Sequence, residues 1–332
     1  MAETPDAFLK RQTGKESGNA QKLIRFAVSL RYMAALLLIV QSWFLALIVY
    51  GLIFQQHDLA NHYGSLALLL AAAALRFGFS VLGDRLSIQA AADIQHRLRC
   101  DLYRHVNALG PTYITKEGSG ALLSSLSDGI NALGPYYSQY LPARMLMLLV
   151  PLSILIVVFP FDWLSGITML FTAPMIPLFM ILIGKGAENL NQKQWRELAR
   201  MSNHFLDVLQ GLTTLKLFNA SRRAGDMIST VAEDYRRETM KVLRLAFLSS
   251  VTLEFFSTVS IDLIDVFIGF RLMWGEMDFL PGFFILLLAP EFYLPLRRMG
   301  TAYHARMEAI GAAEKIQAVL ESTSDSTSEE KT

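Results

Sequence analysis

One cysteine in 332 residues, Cys100, leaves no internal disulfide to form. It sits in the polar helical stretch RLRCDLYRH, where plain packing is the simplest role for its thiol. Charge is also scarce: Asp, Glu, Lys and Arg make up 18% of the chain against a hydrophobic share of 53%, whereas soluble domains carry about a quarter charged residues. The net charge of +1 gives bulk electrostatics no nucleic-acid partner. No Gly-x-x-x-x-Gly-Lys-Ser/Thr phosphate loop occurs, and TGKES at 13–17 lacks the upstream glycine, so the chain has no such means of hydrolysing ATP. No serine–histidine–aspartate or metal-finger spacing points to covalent catalysis or to a metal site. The N-terminus is too long and polar for a signal peptide, and no small-residue cleavage site follows the first apolar run, which is expected to be retained.

What the chain has instead is apolar length. A spanning helix needs roughly 20 mostly apolar residues. Six segments approach this, at about 30–54, 64–83, 142–160, 163–184, 246–272 and 280–297. The third and fourth are separated only by Phe161 and Asp162, which makes them an antiparallel hairpin. Pro151, Pro174 and Pro177 inside these segments are tolerable where neighbouring helices satisfy the freed carbonyls. The expected fold is an all-α membrane protein with six transmembrane helices.

Basic residues set the orientation. The N-terminal segment carries Lys10, Arg11, Lys15, Lys22, Arg25 and Arg31, and residues 85–144 and 185–245 are similarly rich. The connections QQHDLANHY and FPFDW have no lysine or arginine, and WGEMDF is acidic. Both termini are therefore expected in the cytoplasm. The organisation is a cytoplasmic segment 1–28, a membrane domain 29–318 and a disordered tail 319–332. Cytoplasmic helical extensions cover 84–141 and 185–245. Any motor is expected either on a separate chain or on a longer product of which this is the membrane part, and the Ser/Thr/Glu-rich end favours the separate chain.

Those extensions run about 60 residues each and keep helical periodicity. Each must reverse. Gly110-Pro111 stops the first extension, Gly118 and Gly120 break the chain, and Leu122, Leu123 and Leu126 follow, with Asp128 just beyond. The second reverses after Gly211, where Leu215, Leu217 and Phe218 precede the turn NASRRAG containing Arg222. Each reversal reads either as a docking knob for a cytoplasmic partner or as a simple capped turn.

The fifth segment contains two aspartates, Asp262 and Asp265, three apart and so on one helix face, with Glu254, Ser257 and Thr258 extending a polar stripe. A charge in mid-bilayer costs at least about 2.5–3.5 kcal/mol, so such residues face a cavity or a partner. Either they line a translocation pathway and bind a cationic group, or they pair with Arg76 in the second segment or Arg271 on their own helix. Glu291, between Pro290 and Pro295 where the helix is expected to be irregular, either lines the same cavity or caps a kink. His96 and His304 read as surface residues. Trp43, Trp163, Tyr50, Tyr63 and Trp274 read as interfacial anchors or packing groups, Trp43 the deepest.

Taken together, the six segments, the extensions and the stretches TKEGSGALLSSLSDGINAL and LDVLQGLTTLKLFNASRRAGD resemble the transmembrane domain of the ABC exporters, over about residues 25–320. GLTTLKLFNAS, LEFFSTVSI, DGINALGPYYSQYLPAR and LLLAPEFYLPLRRMGTAYHARMEAIGAAEKI are similar to the CydD-type subunits of bacterial thiol-reductant exporters. The resemblance implies a permease that exports a small thiol or amino-acid-like solute of the cysteine and glutathione class. It implies a second six-helix subunit, CydC-like or an identical chain, and ATP-binding subunits that hold ATP and Mg and grip the two reversals. It associates the family with cytochrome bd assembly and raises haem, for which His57 or His62 in the outer turn would be the ligand. Small or apolar residues are implied where Asp262 and Asp265 stand, so the aspartates are a departure. They keep open export of a peptide, lipid or cationic compound, and a non-transporting scaffold or sensor with the same fold remains the other alternative.

Overall fold

The computed structural model of the chain describes residues 4–13, 18–55, 63–117, 125–179 and 212–322. They fold as helices: α1 Pro5–Gln12, α2 Gly18–Ile53, α3 Tyr63–Glu117, α4 Leu141–Phe161, α5 Trp163–Thr172, α6 Leu212–Leu217, α7 Ser221–Met273 and α8 Phe279–Glu321. Short helical turns over 125–140 lead into α4, and a further helical turn follows α5 through Phe179. The all-α expectation holds. The chain divides into two compact units, one of Met1–Ala173 with Ser260–Thr332, the other Pro174–Val259.

Among the described residues, α2, α3, α4 with its lead-in, and α8 are long and apolar enough to cross a membrane, and Trp163–Phe179 is a shorter apolar helix. The fifth expected segment lies within the single helix α7.

The first unit shows why the helices outrun a bilayer. From Tyr63 to the break at Gly110, α3 rises about 70 Å at about 1.5 Å per residue, twice the roughly 30 Å of hydrocarbon. Gly110 adopts φ 79°, ψ 176°, a conformation open to glycine, and Pro111 restarts the helix beyond it, so the expected stop is present. The part of α3 beyond the apolar length is not a free rod. Ile94, Leu98 and Leu102, one turn apart, are buried against Ile130, Leu133, Tyr136 and Tyr137 and against Ala309, Ala313 and Ile316 of α8. Small alanines on α8 allow this close approach, and burial of this apolar stripe is what stiffens the extension.

The N-terminal segment, expected as a polar tail, contributes to that core. Phe8 and Leu9 of α1 are fully buried in it, Tyr137 donates to the Leu9 carbonyl at 3.1 Å, and Arg306 of α8 donates to Asp6 at 2.6 Å. A short amphipathic helix opening on Pro5 was too brief for periodicity to reveal.

The expected irregularity at Pro290 and Pro295 is corrected: α8 runs through both without interruption. Each proline removes one N–H donor, but packing of Phe284, Leu288, Phe292 and Tyr293, all fully buried, holds the helix. The second reversal is also tighter than NASRRAG suggests. The turn is Phe218-Asn219-Ala220, with Asn219 at φ 51°, and Arg222 already lies in the first turn of α7.

Candidate functional site

The expected hairpin is present, with Asp162 alone between α4 and α5, and that residue does more than turn. Asp162, in extended conformation, caps α5: its carboxylate accepts from the backbone N–H and the hydroxyl of Ser165. The same carboxylate accepts from Arg271 of α7 at 2.7 Å, with the Asp162 side chain 1% exposed. Burial alone would raise this carboxyl, but the Ser165 and Arg271 hydrogen bonds and the Arg271 charge outweigh it and hold the group below its usual value. Phe54 and Phe279 meet at the same end of the unit, ring centres 4.9 Å apart. This is the turn end. Tyr63, Trp163 and Trp274 stand exposed there, while Trp43 packs edge-on to Phe284 at 5.1 Å.

Below that end lies a polar layer. Arg76 of α3, Glu291 of α8 and Gln41 of α2 each sit about 18–20 Å along their helix from it. The Arg76 guanidinium reaches Gln41 Oε1 at 3.4 Å and Glu291 Oε1 at 3.5 Å. Asp262 and Asp265 of α7 lie about 12–17 Å below the same end. Their helix has a buried face of Ser260, Ile264 and Ile268, and both aspartates stand exposed off that face. Gly282 of α8 is where this face docks: a Cβ there would come within 3.2 Å of Ile268 and 3.3 Å of Leu272.

Of the two alternatives for Asp262 and Asp265, pairing with Arg76 or Arg271 is not what the structure holds. Arg76 is engaged by Glu291 and Gln41, and Arg271 by Asp162 on another helix. The reason is angular: Arg271 falls on the buried face of α7, about a third of a turn or more from the aspartates. Glu291 does line the layer with Arg76. Glu254 and Thr258 belong to the second unit, where both are exposed, while Ser257 is buried with no hydrogen-bond partner for its hydroxyl among the described residues.

Gly118, Gly120, Leu122, Leu123 and Gly211 lie outside the described residues, as do His57 and His62. Asp128 is exposed in the helical turn Ser125–Gly129, and Leu215 lies within α6. Leu217 and Phe218 are 80% and 79% exposed, and Arg222 is exposed as well. Among the described residues no cluster of His, Cys, Asp or Glu is placed to hold a metal ion. The Cys100 thiol lies 3.9 Å from His96, one helical turn away.

Two residues escaped the sequence reading. Asp162 could have been found from its place directly before an apolar helix with serine three residues on, an N-cap signature. Tyr293 is fully buried, its hydroxyl 2.6 Å from that of Thr172 and hydrogen-bonded also to Ser260, where α5 and α7 leave the first unit. Nothing local in the sequence marks a tyrosine for that role.

Residues 24–291 match the family model described as the ABC transporter transmembrane region. The chain is similar to the transport ATP-binding protein AarD of Providencia stuartii, 37% identical over 99% of this chain and 57% of that protein. It is 36% identical to the glutathione/L-cysteine transport system ATP-binding/permease protein CydD of Escherichia coli strain K12, over 94% of this chain and 55% of that protein. It is 34% identical to the protein of the same system named CydC in Bacillus subtilis strain 168, over 90% of this chain and 53% of that one. The chain thus spans a little over half the length of the curated relatives it matches. Long apolar helices, their extensions and the extent of the match lead to one conclusion: this is a membrane protein, and it belongs to the ABC transporter transmembrane region family.

Proposed function

We propose that the chain is the membrane-spanning part of an ATP-driven exporter that moves a small thiol or amino-acid-like solute of the cysteine and glutathione class out of the cytoplasm. The observation that carries this reading is the identity of 34–36% over nine-tenths or more of the chain to CydD and CydC proteins named for glutathione and L-cysteine transport.

In this reading six helices cross the inner membrane with both termini in the cytoplasm, and the membrane domain covers about 29–318 between a cytoplasmic segment and a tail. The turn end, with its exposed Trp163 and Trp274, faces outward, and the packed extensions face the ATP-binding domains. A CydC-like subunit or a second copy completes the pore. ATP-binding domains holding ATP and Mg engage the segments near 117–131 and 211–225, the second presenting exposed Leu217 and Phe218. The stiff extensions carry their closure to the polar layer of Arg76, Glu291, Asp262 and Asp265, with Glu254 and Thr258 further along α7. A solute is moved only if that layer binds it unequally in the two states.

The test is ATP-dependent accumulation of labelled cysteine or glutathione in inside-out vesicles holding this chain with its ATP-binding domains and partner subunit. Uptake that requires both ATP and this chain supports the reading. Vesicles that hydrolyse ATP yet accumulate neither solute contradict it.

A further inference from the structure

Among the ion pairs that join different helices of the first unit, those of Arg271 and Arg76 differ in kind. Arg271 and Asp162 meet at 2.7 Å, and the carboxylate side chain is 1% exposed. That is the length of a full charge-assisted hydrogen bond, with serine donors completing the carboxylate. Arg76 and Glu291 meet at 3.5 Å, with side chains 36% and 30% exposed, and the second contact of Arg76, to Gln41, is 3.4 Å. A guanidinium offers five N–H donors in a planar fork. Two long contacts leave that fork under-coordinated, at a depth where an unsatisfied charge is expensive.

We infer that Arg76 is a carboxylate-binding residue of the pathway and that Glu291 is its exchangeable internal counter-ion, displaced when a solute carboxylate takes the fork. This rests on the transport reading above and deepens it by assigning the part of the solute that the chain recognises. The exchange is physically economical. Glu291 keeps the guanidinium neutralised while the layer is empty, so no bare charge is left in the membrane. An incoming carboxylate can make two parallel N–H···O bonds to the fork, which the single 3.5 Å contact from Glu291 does not. Gln41, a neutral acceptor, steadies the arginine in either state. The depth of about 20 Å below the turn end lies inside the hydrocarbon and so favours a small solute over a lipid headgroup.

The inference makes two substitutions act in opposite directions. In the complete transporter in nanodiscs, equilibrium binding of labelled cysteine and glutathione is compared with that of cysteamine, which has the thiol and amine but no carboxylate. Arg76→Gln is expected to weaken cysteine and glutathione binding about tenfold or more while leaving cysteamine within about twofold, and Arg76→Lys, a charge without the fork, to fall between. Glu291→Gln removes the competitor and is expected to tighten carboxylate binding several-fold. If both variants weaken all three ligands alike, the pair is merely structural and the inference is overturned. It is equally overturned if Arg76→Gln binds cysteine as the wild type does, or if the wild type binds none of the carboxylates. ATP-driven uptake by the wild type judges the transport reading separately, so either can fail without the other.

Discussion

Arg271 donates to Asp162 across 2.7 Å, tying the last turn of α7 to the single residue that joins α4 and α5. The carboxylate thereby serves two elements at once, as the cap of α5 and as the anchor of α7. Removing the cation leaves a buried anion. Arg271→Met is therefore expected to destabilise the protein by about 2 kcal/mol, between the surface and fully buried limits, because Arg271 is itself partly exposed. Denaturant unfolding of the detergent-solubilised chain reads it, and an unchanged midpoint contradicts it.

The same pair fixes a pH dependence. The carboxyl of Asp162 is held below its ordinary value of about 3.9 in the folded chain, so its contribution is complete above that value and disappears as pH falls through the lowered one. The wild type should therefore lose stability more steeply than Asp162→Asn below about pH 4, the difference between them narrowing with acid. Parallel thermal melts of the two proteins across that range test this, and a constant difference contradicts it.

Phe8 and Leu9 place α1 in the core that braces α3 and α8. Truncating a buried phenylalanine costs about 3–5 kcal/mol, more than a helix this short can hold, so Phe8→Ala should undock α1 rather than unfold the protein. Hydrogen exchange over residues 5–12 should accelerate by about a hundredfold or more, with little change over 63–109. Exchange at the wild-type rate would remove α1 from the brace.

Asp262 and Asp265 stand exposed on α7, away from the face that holds the helix. Replacing both by asparagine should leave stability within about 0.5 kcal/mol, as for surface positions, while abolishing ATP-driven uptake of an amine-bearing solute. Full uptake by the double variant would remove them from the pathway. A large fall in stability would instead assign them a structural partner.

How much of this could be read from the chain depended on the range of the forces involved. Helical periodicity and apolar length are local, so the long helices, the hairpin at Phe161-Asp162 and the stop at Gly110 were legible. The partners of charges were not. Arg76 and Arg271 were both sensible matches for Asp262 and Asp265 by proximity in sequence or membrane depth. Which residue each arginine meets is set by the rotation of α7, and that is set by the packing of Ile264, Ile268 and Gly282. The prolines at 290 and 295 misled for a related reason: their local penalty is real, but the tertiary burial of Phe292 and Tyr293 outweighs it. α1 was missed because eight residues carry too little pattern to distinguish a docked helix from a tail.

The claim on which the rest turns is that α3 is one stiff lever from the turn end, past the polar layer, into the braced extension. Leu68 and Tyr103 are exposed near opposite ends of it. With Cys100 replaced by serine and spin labels at 68 and 103, pulsed electron paramagnetic resonance of the complete transporter reads the distance between them. A continuous helix sets their backbone separation at about 52 Å. A narrow distribution near that distance, unchanged by ATP, is what the account predicts. A broad or markedly shorter distribution would contradict it, because a lever that bends cannot carry the closure of ATP-binding domains to the membrane.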